Sequence, residues 1–99
     1  MMMQKHQITR DSVLQRNPDQ MFSVIDDEVV MLDIREEEYL NLNSQASYIW
    51  RVLENPCSFG ELTDHLCSTF QVEEEVCIRD SLEFIMELVQ KNMIQIRHE

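Results

Sequence analysis

The chain has a single glycine, Gly60, among its 99 residues. Loops that cradle phosphate groups place several glycines at fixed spacing, so the sequence contains no glycine-rich nucleotide-binding loop. It also has no apolar run near the roughly 18 residues that a membrane-spanning helix requires. The polar N-terminal region lacks the apolar segment of a secretory signal peptide. We therefore expect a cytoplasmic protein that does not bind a membrane.

Basic residues are scarce as well. The chain has eight Lys and Arg residues and nineteen Asp and Glu residues, which gives a net charge of −11. Affinity for nucleic acids comes largely from Lys and Arg at phosphates, so this balance argues against nucleic-acid binding. It favours instead a partner with a basic surface, which the acidic chain would attract by electrostatic steering.

Cysteine and histidine do not form a recognisable site. Three cysteines are spaced ten residues apart: Cys57, Cys67 and Cys77. An odd number at this spacing suggests neither a disulfide framework nor the closely spaced ligand pairs of a zinc site. The histidines, His6, His65 and His98, have no evident convergent partner. The sequence therefore predicts no metal, no cofactor and no catalytic residues.

The first half of the chain predicts strands. Short apolar stretches separated by turn residues place them at about 21–25, 28–34 and 38–42. Three short strands joined by brief turns make an antiparallel meander. In the third, Leu40 and Leu42 share one face and Tyr39 and Asn41 the other. Residues 1–8 show no periodicity and predict a flexible N-terminal arm.

The second half predicts three helices at about 44–54, 59–70 and 73–91. Asn43 is a suitable N-cap for the first helix, and Ser58 and Glu61 form a capping box for the second. Asn92 can adopt the left-handed conformation that ends the third. The expected fold is a single α+β domain over residues 9–96, with a three-stranded antiparallel sheet followed by three helices.

The third helix has more apolar surface than one core contact needs. One stripe contains Cys77, Ser81, Phe84, Ile85 and Leu88, and a second contains Ile78, Leu82, Met86 and Val89. Either this helix is buried on both sides, or one stripe lines a groove beside the third strand. An edge strand there would be a site for adding a partner's strand.

Two other functions remain open at this point. Strands followed by three helices are also the plan of a winged-helix DNA-binding regulator, although the polar face of the third helix is balanced to acidic. The chain could equally be a small docking subunit of an enzyme complex that binds no peptide. A basic surface patch would favour the first of these alternatives.

Several segments together resemble the PqqD-like family. They are Val29-Val30-Met31-Leu32-Asp33, Glu38 to Asn43, Ala46-x-x-Ile49-Trp50-x-x-Leu53, Ser58-x-x-Glu61-Leu62 and Asp80-x-x-x-Phe84-Ile85-x-x-Leu88. Members are peptide chaperones, also called RiPP recognition elements, which serve the biosynthesis of ribosomally made, modified peptides. The resemblance covers about residues 9–96 and is greatest to the free-standing leader-binding proteins of lasso-peptide pathways.

The resemblance implies a winged-helix-like domain without catalytic activity. It implies that the precursor's leader peptide binds as an added strand on the third strand, against the third helix. The maturation enzyme that receives it would be a leader peptidase, a cyclase or a radical SAM enzyme. The predicted site residues are Glu38, Tyr39, Leu40, Asn41 and Leu42 on the strand, and Ile78, Leu82, Ile85, Met86 and Val89 on the helix.

The chain departs from the family pattern at two positions. Members often have glycine in the turn before the third strand and at the end of the last helix. Glu37 and Asn92 stand there in this sequence. Asn tolerates the left-handed conformation better than Glu does. The departure at Glu37 therefore affects the hairpin geometry more than the departure at Asn92 affects the end of the last helix.

Overall fold

The computed structural model describes residues 8–97. In chain order the elements are β1 (Val13–Arg16), β2 (Phe22–Ile25), β3 (Glu28–Asp33), β4 (Glu38–Asn41), α1 (Ser44–Val52), β5 (Cys57–Ser58), α2 (Phe59–Phe70), α3 (Glu74–Gln90) and β6 (Ile94–Arg97). The predicted arm lies outside the described residues except for Ile8, which packs against the core. His6 and His98 also lie outside them.

The three strands predicted from the first half of the chain form an antiparallel sheet in the order β2-β3-β4. The β2–β3 turn consists of two residues, Asp26 and Asp27, both with positive φ. This is the pattern of a type I′ turn, whose twist matches that of the flanking strands. Glu37 and Asn92 also have positive φ, at 55° and 60°. The two positions where the family often has glycine therefore do adopt the left-handed conformation.

A second sheet joins the two ends of the described chain. It has the order β5-β1-β6, and Val13 on β1 pairs with both Ser58 and Arg97. The strands predicted from the sequence did not include this sheet. The α+β class and the antiparallel sheet ahead of three helices are confirmed, whereas the likeness to a winged helix is loose.

The core lies where the two sheets meet the helices. Trp50 of α1 is fully buried, and its ring meets Phe22 edge-on with centroids 5.5 Å apart. The Arg16 guanidinium lies 4.8 Å from the centre of the Trp50 ring and donates two hydrogen bonds to the Trp50 carbonyl, at 2.9 and 2.6 Å. This cation satisfies a carbonyl in the last turn of α1, where a helix favours positive charge.

The predicted capping residues are confirmed. The Asn43 side chain accepts the backbone N–H of Ala46 at 2.8 Å. Ser58 and Glu61 form the reciprocal capping box. Because only Leu42 separates Asn43 from the end of β4, the cap fixes where the edge strand turns into α1.

Candidate functional site

The strand β4 is an edge of its sheet, with β3 on one side only. The Leu42 N–H donates to the Val29 carbonyl at 2.9 Å, and Leu40 lies opposite Met31. Residues of an antiparallel pair alternate between hydrogen-bonded and non-bonded positions. The backbone groups of Leu40 and Leu42 therefore point to β3, and those of Tyr39 and Asn41 point to the open edge.

The side chains of β4 divide as the two-residue period predicts. Leu42 is buried and Leu40 half-buried, on the face towards the core. Tyr39 is 69% exposed, and Asn41 shares its face. Glu38, at the start of the strand, is exposed. The free backbone edge is thus flanked by Leu40 and Leu42 on the inner side and by the side chains of Tyr39 and Asn41 on the outer side.

A groove of about 240 Å³ runs between β4 and α3. Its lining residues come from β4, the start of α1 and the second half of α3: Leu40, Asn41, Leu42, Asn43, Ala46, Phe84, Glu87 and Leu88. Most of these are apolar, with one carboxylate on the helix side. The groove lies beside the open edge, so a strand added to β4 would place alternate side chains in it.

The groove continues into a larger pocket of about 480 Å³ between the three helices. Asn43, Ala46 and Phe84 line both spaces. The larger pocket also has apolar walls from Ile49, Leu66, Phe70, Val72 and Val76, with Asp80 at its polar side. The Phe84 side chain is half-buried at the junction. The two spaces are thus adjacent, one beside β4 and the other among the helices.

The helix part of the predicted site differs from what the structure places at the groove. Ile85 is fully buried in the core. Ile78, Leu82 and Val89 are half-buried and Met86 is 37% exposed, all outside the linings of both spaces. Of the ten predicted residues, the structure brings only Leu40, Asn41 and Leu42 to the groove, with Tyr39 at its backbone edge.

The reason is the rotation of α3 about its own axis. Cys77, Ser81, Ile85 and Leu88 form the row that faces the core. The groove then lies on the flank of Phe84 and Glu87, and the second apolar stripe lies on the opposite flank. The sequence analysis placed the peptide beside the second stripe, whereas the groove described here borders the flank of Phe84 and Glu87.

Ser47 positions the edge strand, and sequence reasoning missed it. Its buried hydroxyl accepts the N–H of Val29 at 2.9 Å and donates to the Leu42 carbonyl at 3.1 Å. The hydroxyl thus bridges the Val29 N–H and the Leu42 C=O, which would hydrogen-bond to each other directly in an uninterrupted ladder. The sequence did contain a signal for this role, because Ser47 is a small polar residue on the inner face of α1, just before the apolar Ile49 and Trp50.

Asp33 anchors the other end of the β3–β4 hairpin. The Asp33 carboxylate accepts the Glu36 N–H at 3.2 Å and lies 3.4 Å from the Lys91 ammonium. Burial by itself raises the pKa of this carboxyl, but the hydrogen bonds from Glu36 and Lys91 and the charge of Lys91 outweigh it. The pKa of Asp33 is therefore held below its usual value.

The three cysteines are free thiols, and Cys77 lines the larger pocket. A hydrogen bond with Cys77, then burial, then the nearby acidic groups raise the pKa of Cys67 to about 11. Burial and Glu61 raise the pKa of Cys57. The thiols of Cys57 and Cys67 therefore stay protonated at neutral pH and behave as small apolar side chains.

Neither a metal site nor a membrane span is found between residues 8 and 97. Within this range, no three His, Cys, Asp or Glu side chains are grouped so that they could hold a metal ion. None of the helices over the same residues is long and apolar enough to cross a bilayer.

Comparison with known proteins gives one family and two similar structures. Residues 28–94 match the family described as coenzyme PQQ synthesis protein D (PqqD). A structure described as TbiB1 in complex with the TbiA(beta) leader peptide is 27% identical, with a TM-score of 0.73, and the match covers 86% of this chain and 99% of that one. A lasso peptide synthetase B1 complexed with the leader peptide is also 27% identical, with a TM-score of 0.69 and coverages of 83% and 96%. No curated protein sequence matches the chain significantly.

Proposed function

Because the chain belongs to the PqqD family, we propose that it is a non-catalytic adaptor that binds the leader peptide of a ribosomally made precursor. The precursor is of the lasso type, and the adaptor delivers it to a maturation enzyme in the cytoplasm. The similar structures, described as leader-peptide complexes of TbiB1 and of a lasso peptide synthetase B1, support this assignment.

The observation that carries the proposal is the open edge of β4 beside an apolar groove. Tyr39 and Asn41 present their backbone N–H and C=O groups at this edge, and the groove lies between the strand and α3. Edge strands bind extended peptides by adding a strand, with backbone hydrogen bonds supplying affinity and alternate side-chain pockets supplying specificity. Both components are present here side by side.

In the bound state the leader would run along β4 as a fourth strand. Its backbone would exchange hydrogen bonds with Tyr39 and Asn41. Every second leader side chain would enter the groove against Leu40, Phe84 and Leu88. The continuation of the groove between the helices has room for a bulky apolar side chain from the residues beyond the paired segment.

The charge of the chain favours a leader with basic residues. Glu87 lines the groove and Asp80 lines the larger pocket, and the whole chain carries a net charge of −11. An acidic surface around an apolar groove raises the rate of encounter with a basic peptide, and salt weakens this effect.

Amide hydrogen exchange with and without the leader peptide of the precursor from the same gene cluster tests the proposal. The N–H groups of Tyr39 and Asn41 should exchange much more slowly with the peptide bound, because strand addition hydrogen-bonds them. Those of Leu40 and Leu42, already bonded to β3, are the internal control and should change less. Saturable binding without protection of Tyr39 and Asn41 would refute strand addition, and absence of binding would refute the adaptor function.

A further inference from the structure

The sheet β2-β3-β4 has a second face that is apolar and open. Val29, Met31 and Asp33 of β3 point into the core, so the intervening residues point away from it. We call this side the outer sheet face. It is formed mainly by Met21, Ile25, Val30, Leu32, Tyr39 and Asn41, which line a shallow depression of about 590 Å³.

This face is unusually exposed for its composition. Met21 is 58% exposed, Ile25 59% and Tyr39 69%. Among the described residues, no helix or strand covers it. Contiguous exposed apolar patches of this kind, rimmed by polar residues, are typical of protein interaction sites. The leader groove lies on the inner side of β4, so the two surfaces share only the strand itself.

The rim of the outer sheet face is acidic at both ends. Asp26, Asp27 and Glu28 lie at the β2–β3 turn, and Glu36 and Glu37 lie at the β3–β4 turn. Arg35, in the second turn, donates a hydrogen bond to the Gln90 carbonyl at 3.3 Å, on the side of α3. Arg51 of α1 donates one to the Asp27 carbonyl at 2.8 Å, and the five carboxylates outnumber these cations.

The acidic rim indicates which partner fits. Two copies packed through this face would bring acidic turns together, in a chain whose net charge is already −11. Like charges facing each other across an interface are costly. A partner with an apolar patch bordered by Lys and Arg would complement both the centre and the rim.

We propose that the outer sheet face is the docking surface for the maturation enzyme, which contributes an apolar patch bordered by basic residues. This inference rests on the proposed adaptor function. A leader strand paired with β4 extends the same sheet, and its outward side chains lie beside Tyr39. The enzyme then contacts adaptor and leader together, so the bound leader raises the affinity of the adaptor for the enzyme. By linkage the enzyme raises the affinity for the leader by the same factor.

The test uses the double variant Met21→Asn/Ile25→Asn and the maturation enzyme from the same gene cluster. Both positions are exposed, so the fold is retained. The control is Met86→Asn, which makes a similar change on α3 away from both surfaces. Calorimetry measures the dissociation constant for the enzyme with and without leader, and for the leader alone.

We expect the double variant to weaken enzyme binding at least tenfold while its affinity for the leader alone is unchanged. The control should match the natural chain, and enzyme affinity should fall as salt rises. Unchanged enzyme affinity in the double variant would overturn the inference, as would a dimer of the natural chain that the double variant dissociates. If the leader does not bind the natural chain, the proposed function fails instead, which the leader titration alone reveals.

Discussion

The hydroxyl oxygen of Ser47 accepts the backbone N–H of Val29 at 2.9 Å, so a side chain of α1 is inserted into the end of the β3–β4 ladder. The same hydroxyl donates to the carbonyl of Leu42. Ser47 is fully buried. Ser47 therefore ties the end of the edge strand directly to α1.

Ser47→Ala should destabilise the protein by about 1–3 kcal/mol, because a buried N–H loses its acceptor. Urea denaturation measures this change. Leader affinity should also fall, since the end of β4 is released from α1. Ser68→Ala, on the exposed side of α2, is the control and should stay within about 0.5 kcal/mol of the natural chain. Equal stability of the two variants would show that the Ser47 bridge is dispensable.

Phe84→Glu should weaken leader binding at least tenfold, because it places a charge in the apolar junction of the groove. Met86→Glu, on the opposite flank of α3, should leave the affinity unchanged. If the helix residues predicted from the sequence line the site instead, Leu82→Glu and Met86→Glu should abolish binding. Fluorescence titration with labelled leader, on variants shown to be folded by circular dichroism, decides between the two flanks.

Glu37→Gly should raise the free energy of unfolding by about 0.5–1 kcal/mol. Glu37 has a φ of 55°, and this left-handed conformation costs a residue with a Cβ about 1–2 kcal/mol. Glycine removes that cost, but it also makes the unfolded chain more flexible, which cancels part of the gain. The control is Glu36→Gly, which removes the same charge at a neighbour without positive φ and should not stabilise. Thermal unfolding compares them, and an equal gain in both would assign the effect to charge.

Asp33→Asn should lower the urea midpoint at neutral pH, and the difference from the natural chain should vanish in acid. The pKa of Asp33 is lower in the folded protein than in the unfolded chain. Such a group adds stability above its unfolded pKa of about 4 and loses it as the pH falls through the folded pKa. Denaturation at pH 7, 4 and 2.5 follows this loss. A constant difference at all three would mean that the carboxylate charge is not the cause.

Local patterns in the sequence were sufficient for much of the fold. Alternation in Glu28–Asp33 and the caps at Asn43 and Ser58 act within a few residues, so a single sequence contains their signal. The second sheet could not be found this way. Its strands are two to four residues long, and Val13 finds its partner Arg97 only when the chain has folded.

The strand part of the candidate site could be predicted from the sequence, but the helix part could not. The third strand of a three-stranded meander lies at an edge of the sheet, so the sequence was enough to predict that β4 is an edge strand. A helical wheel gives the angles between residues of α3 but not the rotation of the helix against its neighbours. Packing sets that rotation through the buried row that includes Ser81 and Ile85. Phe84 therefore lies at the groove, and Met86 does not.

The pairing of β1 with β6 places Val13 and Arg97 on adjacent strands, about 5 Å apart. A folded unit whose two ends meet can be inserted into a loop of a larger protein, or circularly permuted, with short connections. These connections would leave from the β5-β1-β6 sheet, while β4 belongs to the other sheet. Joining this unit to a larger protein through its ends would therefore leave the open edge of β4 unobstructed.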